Sequence, residues 1–370
     1  MTWQTAQLTP PADRIDLGIG QPDPALLPAD LFEQSHIDAA VLAYGTEAGD
    51  ERFRSALAHW LNQHQSQPAS PDNLMVTTGS SNALDMICTR FSKPGDTVLV
   101  EDPTYFIARK QLADHGLTAV AVPMDDDGVD ILELAARIEQ HKPAFFYTVP
   151  TFHNPTGITQ SAERRAQLVA LARDTACPVV ADDVYQYLFY AGPPPDPLAS
   201  LDERAPVLSI GSFSKLLAPG LRLGWIQGQP EMLSRLIGSA LLASGGGLAP
   251  VTSSLVRPLL EDGRFDQHLA RLTTVYRKRL AALVRGLEEH LGDRLVWHAP
   301  EGGFFIWTHW RNGADTEALL PRAHKAGVGY QPGGKFSDST DQASAMRLCF
   351  AFYDEAQLTE ASLRLSQLGG

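Results

Sequence analysis

Between Ser209 and Trp225 the chain places Ser212, Ser214, Lys215 and Arg222 around a Pro219-Gly220 turn. An apolar run at 207–210 leads in, so a strand delivers these groups at its end. A lysine that attacks an aldehyde must be neutral, and burial or neighbouring cations lower its pKa far enough. Two hydroxyls and an arginine beside it suit a phosphate. Alone, such a lysine would read as a surface-loop charge; its surroundings reverse that reading.

Four further segments carry reactive or binding groups. Asp182 and Asp183 close an apolar run at 179–181, and Tyr185 follows; a strand-end Asp also serves simply as a helix cap. Thr77, Thr78, Gly79, Ser80 and Ser81 read as strand, glycine turn and helix start. The free N–H groups and positive dipole end of such a helix attract phosphate, and Ser80 could equally be a plain N-cap. Asn154-Pro155-Thr156-Gly157 follows an apolar run at 145–149, where Asn-Pro and Thr-Gly pairs ordinarily mark turns. Arg347 stands inside an apolar run with no acid beside it. A buried guanidinium costs several kcal/mol unless paired, so it needs either a distant salt bridge or a carboxylate ligand.

The 212–225 segment resembles the S-x-S-K-x-x-x-P-G-x-R-x-G-W signature of fold type I pyridoxal-phosphate aminotransferases, class I/II. Asp182 with Tyr185 matches the family's D-x-x-Y, and residues 154–157 its N-P-T-G. The order along the chain is the same, and the resemblance spans Gly20 to Arg347. It implies an aspartate-aminotransferase-like α/β fold with pyridoxal 5′-phosphate held as a Schiff base on Lys215. Asp182 is then the anion at the pyridine nitrogen, with Tyr185 and Asn154 at the ring phenolate oxygen. Ser80, Ser81, Ser212, Ser214 and Arg222 take the phosphate, and Tyr105 stacks on the ring. Arg347 becomes the bidentate clamp of the substrate α-carboxylate, a geometry that arginine supplies and lysine does not; Gly20 lies beside the substrate. Tyr44, in a Y-G-x-x-x-G element, reaches the phosphate of a neighbouring subunit, which implies a homodimer with composite sites.

The implied reaction moves the amino group of an L-amino acid to a 2-oxo acid in two half-reactions. The wording of 147–157 and 212–225 is most similar to the aminoadipate, kynurenine and aromatic transaminase branch. The same scaffold also supports lyases and decarboxylases, because the cofactor carries the hard chemistry. A non-enzymatic alternative is an effector-sensing module, since some bacterial regulators carry a similar domain behind a DNA-binding one; here the match begins near residue 16.

The elements that must position these groups follow from hydrophobic patterning. Runs at 74–77, 97–100, 145–149, 179–181, 207–210 and 223–226 read as strands, and their continuous apolar character fits a mostly parallel sheet sandwiched by helices. Helical spacing marks 51–63 and 266–291. Strands are expected at 295–297, 304–307 and 347–351, in a smaller α+β unit. With 370 residues, against roughly 100–200 per domain, the chain divides into 1–44, joining the small domain, 45–245 as the large cofactor domain, and 246–370 as the small one. Glycines at 245–247 read as the hinge. Asp125, Asp126 and Asp127 read as a solvated turn, and Arg271, Arg277, Lys278 and Arg279 as an exposed helix face.

The formal charge of −13 argues against nucleic acid or anionic lipid as a partner. Three scattered cysteines, Cys88, Cys177 and Cys349, give no metal spacing and suit a reducing compartment. No basic-then-apolar leader opens the chain, no apolar stretch approaches the ~18 residues of a membrane span, and the cytoplasm is the expected location.

Overall fold

A computed structural model describes residues 10–33, 35–37 and 39–368. After a two-residue strand, β1 (Ile15–Asp16), the chain builds a large sheet from β2 (Leu74–Thr77), β3 (Thr97–Asp102), β4 (Thr118–Asp125), β5 (Gly128–Val129), β6 (Phe145–Thr148), β7 (Val179–Asp182), β8 (Val207–Ser212) and β9 (Gly224–Gly228). It then forms β10 (Leu295–Trp297), β11 (Phe305–Trp310), β12 (Val328–Gly329), β13 (Gln331–Pro332) and β14 (Ala345–Cys349). The six strands expected in the large sheet are present. The sheet gains β4, whose mostly exposed or half-exposed residues lack the continuous apolar run of a doubly covered strand, and the two-residue β5, buried but too short to form a run.

The strand order is β2-β9-β8-β7-β6-β3-β4-β5. Pairings from β8 through β7, β6 and β3 to β4 are parallel, whereas β9 runs antiparallel to both β2 and β8. Binding sites in such sheets lie at the carboxyl ends of the strands. Because β9 is reversed, its amino end reaches the same edge, which is how Arg222 arrives beside the start of the Ser80–Phe91 helix.

The second sheet, β10-β11-β14-β13, is antiparallel throughout. Its last strand begins two residues before the expected Arg347 start and ends at Cys349. The N-terminal segment is fastened to this part of the molecule. β1 pairs in parallel with β12, and the Cys349 amide donates to the Leu17 carbonyl at 2.7 Å. That fastening carries Gly18 and Gly20 over Arg347.

The Arg264–Leu291 helix packs against this sheet region through Phe265, Leu269, Leu272, Tyr276, Leu280, Leu283, Leu287 and Leu291, a stripe of three- and four-residue steps. One member of its expected exposed face is corrected: Arg279 is buried, 2.6 Å from Asp23 Oδ2, and donates to the Ala351 carbonyl. It lies three residues after Tyr276 and so shares the buried stripe, and Asp23 supplies the charge that makes burial tolerable. The glycines at 246 and 247 pack closely on the backbone of Gly45, Thr46 and Gly49, leaving no room for a Cβ.

In the β8–β9 register Gly211 faces Trp225, and a Cβ on Gly211 would lie 2.0 Å from the indole. Overpacking of this kind costs about 1–3 kcal/mol. Gly211→Ala is therefore expected to lower the melting temperature by several degrees, read by thermal unfolding followed by circular dichroism.

Candidate active site

Lys215 lies in the short Phe213–Leu216 helix that leaves β8. Ser212 caps that helix, accepting the Ser214 amide at 3.1 Å, so one hydroxyl fixes the turn that aims the lysine. Lys215 Nζ donates to the Gly20 carbonyl at 3.1 Å and lies 5.7 Å from the centre of the Phe304 ring. Burial pushes its ammonium from the usual 10.5 down to about 8. Arg347 and Arg222 push the same way, and the negative charge of Asp182 opposes them.

Asp182 ends β7 and is 8% exposed. Its Oδ2 accepts from the Tyr147 hydroxyl at 2.8 Å, while Oδ1 is buried with no hydrogen-bond partner. Burial raises its carboxyl to about 6, and the Tyr147 bond opposes that rise. An orphaned oxygen facing a pocket is a vacancy for a donor, since buried acceptors are otherwise satisfied. Asp183 takes no part in the pocket wall; the positive charge of Arg165 acts on it instead.

Arg347 is 3% exposed, and among the described residues no carboxylate lies within ion-pair distance of it. The distant salt bridge that would have explained it is therefore lacking among them. Nη1 donates to Asn154 Oδ1 at 2.7 Å, Nη2 to the Gly18 carbonyl at 3.1 Å, and Nε has no partner. The guanidinium stacks on Phe305 at 4.0 Å and faces Phe336 at 5.1 Å, a weakly hydrated cation held by π faces. Gly20 lets this happen: a Cβ there would lie 3.2 Å from both Arg347 Nη2 and the Phe305 ring.

These residues share one pocket. Its wall includes Gly20, Ser80, Tyr105, Asn154, Tyr185 and Lys215, together with Asp182, Phe305 and Arg347. Tyr185 packs edge-on to Phe304 and Phe305. Ser80 opens its helix behind Gly79, which takes the N-cap with φ of 97°, so the plain-cap reading of Ser80 is corrected. A side chain on Gly79 would collide with the Arg222 guanidinium, 2.7 Å from the Cβ position. Arg222 also donates to Ser214 Oγ at 3.5 Å. Helix N-terminus, Ser214 and Arg222 thus converge as an anion cradle.

Five expected residues lie outside the pocket wall: Ser81, Tyr44, Ser212, Ser214 and Arg222. Ser81 is exposed, and Tyr44 is 88% exposed. Conversely, Tyr147 was not singled out in the sequence, although a tyrosine in the fully buried β6 must find a partner for its hydroxyl.

The depressed Lys215 pKa has a stability consequence. A lysine whose folded-state pKa lies below its unfolded value burdens the fold while it is charged, so stability rises as pH climbs from about 8 to 10.5. Cofactor-free Lys215→Met should melt above wild type near neutral pH, with the difference shrinking as pH rises from about 8 to 10.5. Paired thermal melts across that range read the effect.

A family model for class I and II aminotransferases matches residues 12–365. Aromatic-amino-acid aminotransferase 1 of Thermococcus litoralis is 34% identical, over 98% of this chain and 89% of its own length. An uncharacterized HTH-type transcriptional regulator of Bacillus subtilis, YisV, is 30% identical over 94% of this chain and 72% of its own length. Among solved structures, the Pyrococcus horikoshii kynurenine aminotransferase in complex with PMP superposes with a TM-score of 0.88 at 34% identity, covering 96% of this chain and 91% of that one. A lysine of lowered pKa and an orphaned carboxylate oxygen in one pocket, with an anion cradle of the Ser80 helix start, Ser214 and Arg222, fit pyridoxal phosphate group by group. The chain belongs to the class I and II aminotransferase family and is a pyridoxal-phosphate-dependent aminotransferase acting on amino acids and 2-oxo acids.

Proposed function

We propose that Lys215 is the residue that bonds the cofactor and moves the substrate α-proton, and that Arg347 grips the substrate α-carboxylate. The observation that carries this reading is Arg347 itself: a buried guanidinium with two neutral acceptors and, among the described residues, no partner for Nε and no acid in reach. Bringing in a carboxylate supplies the missing charge, and the bidentate geometry selects for it.

Asp182 Oδ1 is the acceptor for the pyridine nitrogen, and Tyr147 holds the other oxygen so that the free one faces the pocket. Tyr185 and Asn154 serve the ring phenolate oxygen, and Tyr105 covers the ring face. Ser80, Ser212, Ser214 and Arg222 hold the phosphate, with Ser81 contributing its amide in the first helical turn. When bound, the cofactor supplies an electron-withdrawing ring that spreads carbanion charge. Lys215 Nζ, partly neutral near pH 8, takes the proton from the α-carbon and delivers it as general acid. The closed wall of Phe305, Val149 and Val184 keeps water from competing for that proton.

Phe106, Ile107 and Val149 on the pocket wall support an apolar or aromatic amino donor, in keeping with the names of the two aminotransferase relatives. A homodimer is the proposed assembly. Tyr44, 88% exposed, and Leu42 and Leu241, 69% and 61% exposed, support a face covered by a second copy, with Tyr44 reaching the partner's phosphate. The two larger sheets support a division into 1–44, 45–245 and 246–370. The cytoplasm is the proposed location, supported by three free, buried cysteines; among the described residues no helix is long and apolar enough to cross a membrane.

Lys215→Ala should cut turnover by at least about 10²–10⁴-fold while cofactor still binds noncovalently in equilibrium dialysis. Turnover at the wild-type rate would remove Lys215 from the mechanism. Arg347→Lys should raise the amino-acid KM by roughly ten- to a hundredfold, the worth of charge-assisted hydrogen bonds. An unchanged KM in steady-state assays would contradict the clamp. Sedimentation should return a dimer, and Tyr44→Phe should loosen cofactor binding without unfolding the protein.

A further inference from the structure

Behind the pocket lies a buried pair that the reaction itself does not use. Glu101, near the end of β3, and His153, next to Asn154, are each 1% exposed. Glu101 Oε1 accepts from the Thr148 hydroxyl at 2.5 Å, and Oε2 accepts from the Val149 amide at 2.8 Å. His153 Nε2 lies 3.2 Å from the same Oε2, close but out of hydrogen-bond alignment, and makes no hydrogen bond among the described residues. On the other side of the ring, Nδ1 meets the Thr156 hydroxyl at 2.8 Å and the Thr156 amide at 3.3 Å. An amide N–H can only donate, so Nδ1 accepts and the ring proton sits on Nε2, the nitrogen beside Glu101.

The pair joins two chain segments. Four residues after Glu101 comes Tyr105, on the pocket wall; one residue after His153 comes Asn154, whose Oδ1 receives Arg347. The turn bearing Asn154 is closed on itself, through the His153 amide to the Ile158 carbonyl and the Gly157 amide to the His153 carbonyl. Those bonds shape the turn but do not fix its distance from β3. The His153 ring lies across that gap, against Glu101 Oε2.

We propose that Glu101 and His153 are positioning residues: a buried carboxylate–imidazole brace that sets Asn154, and through it Arg347, at the distance a substrate carboxylate requires. The proposal rests on the assignment of Arg347 as the carboxylate clamp. A carboxylate that already accepts two hydrogen bonds from β6 and its exit is a rigid anchor, and the single imidazole spans from it to the turn. Loss of the imidazole leaves the turn intact in itself and free to drift from β3.

The test uses the holoenzyme and an unreactive ligand, 3-phenylpropionate, titrated calorimetrically, with the pH midpoint of the bound cofactor's visible absorbance as a second readout. His153→Leu should weaken 3-phenylpropionate by about tenfold, on the order of 1.4 kcal/mol. It should also raise the absorbance midpoint, because Asn154 no longer sits against the phenolate oxygen. In turnover, KM for the amino acid should rise more than kcat falls. His153→Gln, which keeps a donor and an acceptor on one side chain, should recover most of both readouts. Wild-type affinity and midpoint in a folded His153→Leu protein would overturn the proposal. Should that variant not fold, Thr156→Val, which removes only the hydroxyl on Nδ1, must give a smaller change in the same direction, and no change there would overturn it equally. Arg347→Lys serves as the control. If it weakens 3-phenylpropionate and His153→Leu does not, the brace fails and the clamp stands; if neither does, the clamp assignment has failed first.

Discussion

A positive charge buried without a carboxylate partner organises this molecule. Arg347 is held by two aromatic rings and two neutral oxygens, which orient a guanidinium but do not neutralise it. Desolvation of such a charge is normally offset by a paired acid. On the proposed reading a substrate carboxylate supplies the offset, and the same positive field lowers the pKa of Lys215 alongside the larger effect of burial. The negative counterpart, Asp182, keeps one oxygen without a donor. The pocket therefore has an unfilled demand for an anion at one end and a proton-bearing nitrogen at the other, which is the polarity of an amino acid meeting a protonated pyridine ring.

Holding those groups together requires elements far apart in sequence. The carboxyl edge of the large sheet supplies Asp182 and, through the exits of β3, β6 and β8, Tyr105, Asn154 and Lys215. The reversal of β9 turns Arg222 back toward Ser214 and the Gly79 turn. The second sheet contributes Arg347 and Phe305 from neighbouring antiparallel strands. The N-terminal segment, pinned at β1 and Leu17, lays Gly18 and Gly20 across the top. Three separate parts of the chain thus meet at one guanidinium and one amine.

Much of this was legible in the sequence where a motif is local. Lys215, Asp182, Asn154 and Arg347 each sit at or beside the end of an apolar run, and the structure brings all four to one pocket. Residues whose meaning lies in a distant partner were harder to read. Tyr147 looks like another aromatic in a buried strand until Asp182, 35 residues on, is seen to receive its hydroxyl. Arg279 reads as surface charge unless Asp23 is placed beside it, although its three-residue step from Tyr276 marks the buried stripe. Strand β4 alternates too weakly to declare itself, because its residues are half exposed. The helix start at Ser80 was legible as a phosphate site, but not that a glycine takes its cap so that Arg222 can approach.

The most direct measurement is an absorbance spectrum of the purified holoenzyme while an L-amino acid is titrated in, followed by 2-oxoglutarate. The account predicts a visible cofactor band that bleaches to the near-ultraviolet aminated form with an apolar or aromatic donor and returns with the 2-oxo acid. A cofactor band that no amino acid converts, or protein that binds no pyridoxal phosphate at all, would contradict it.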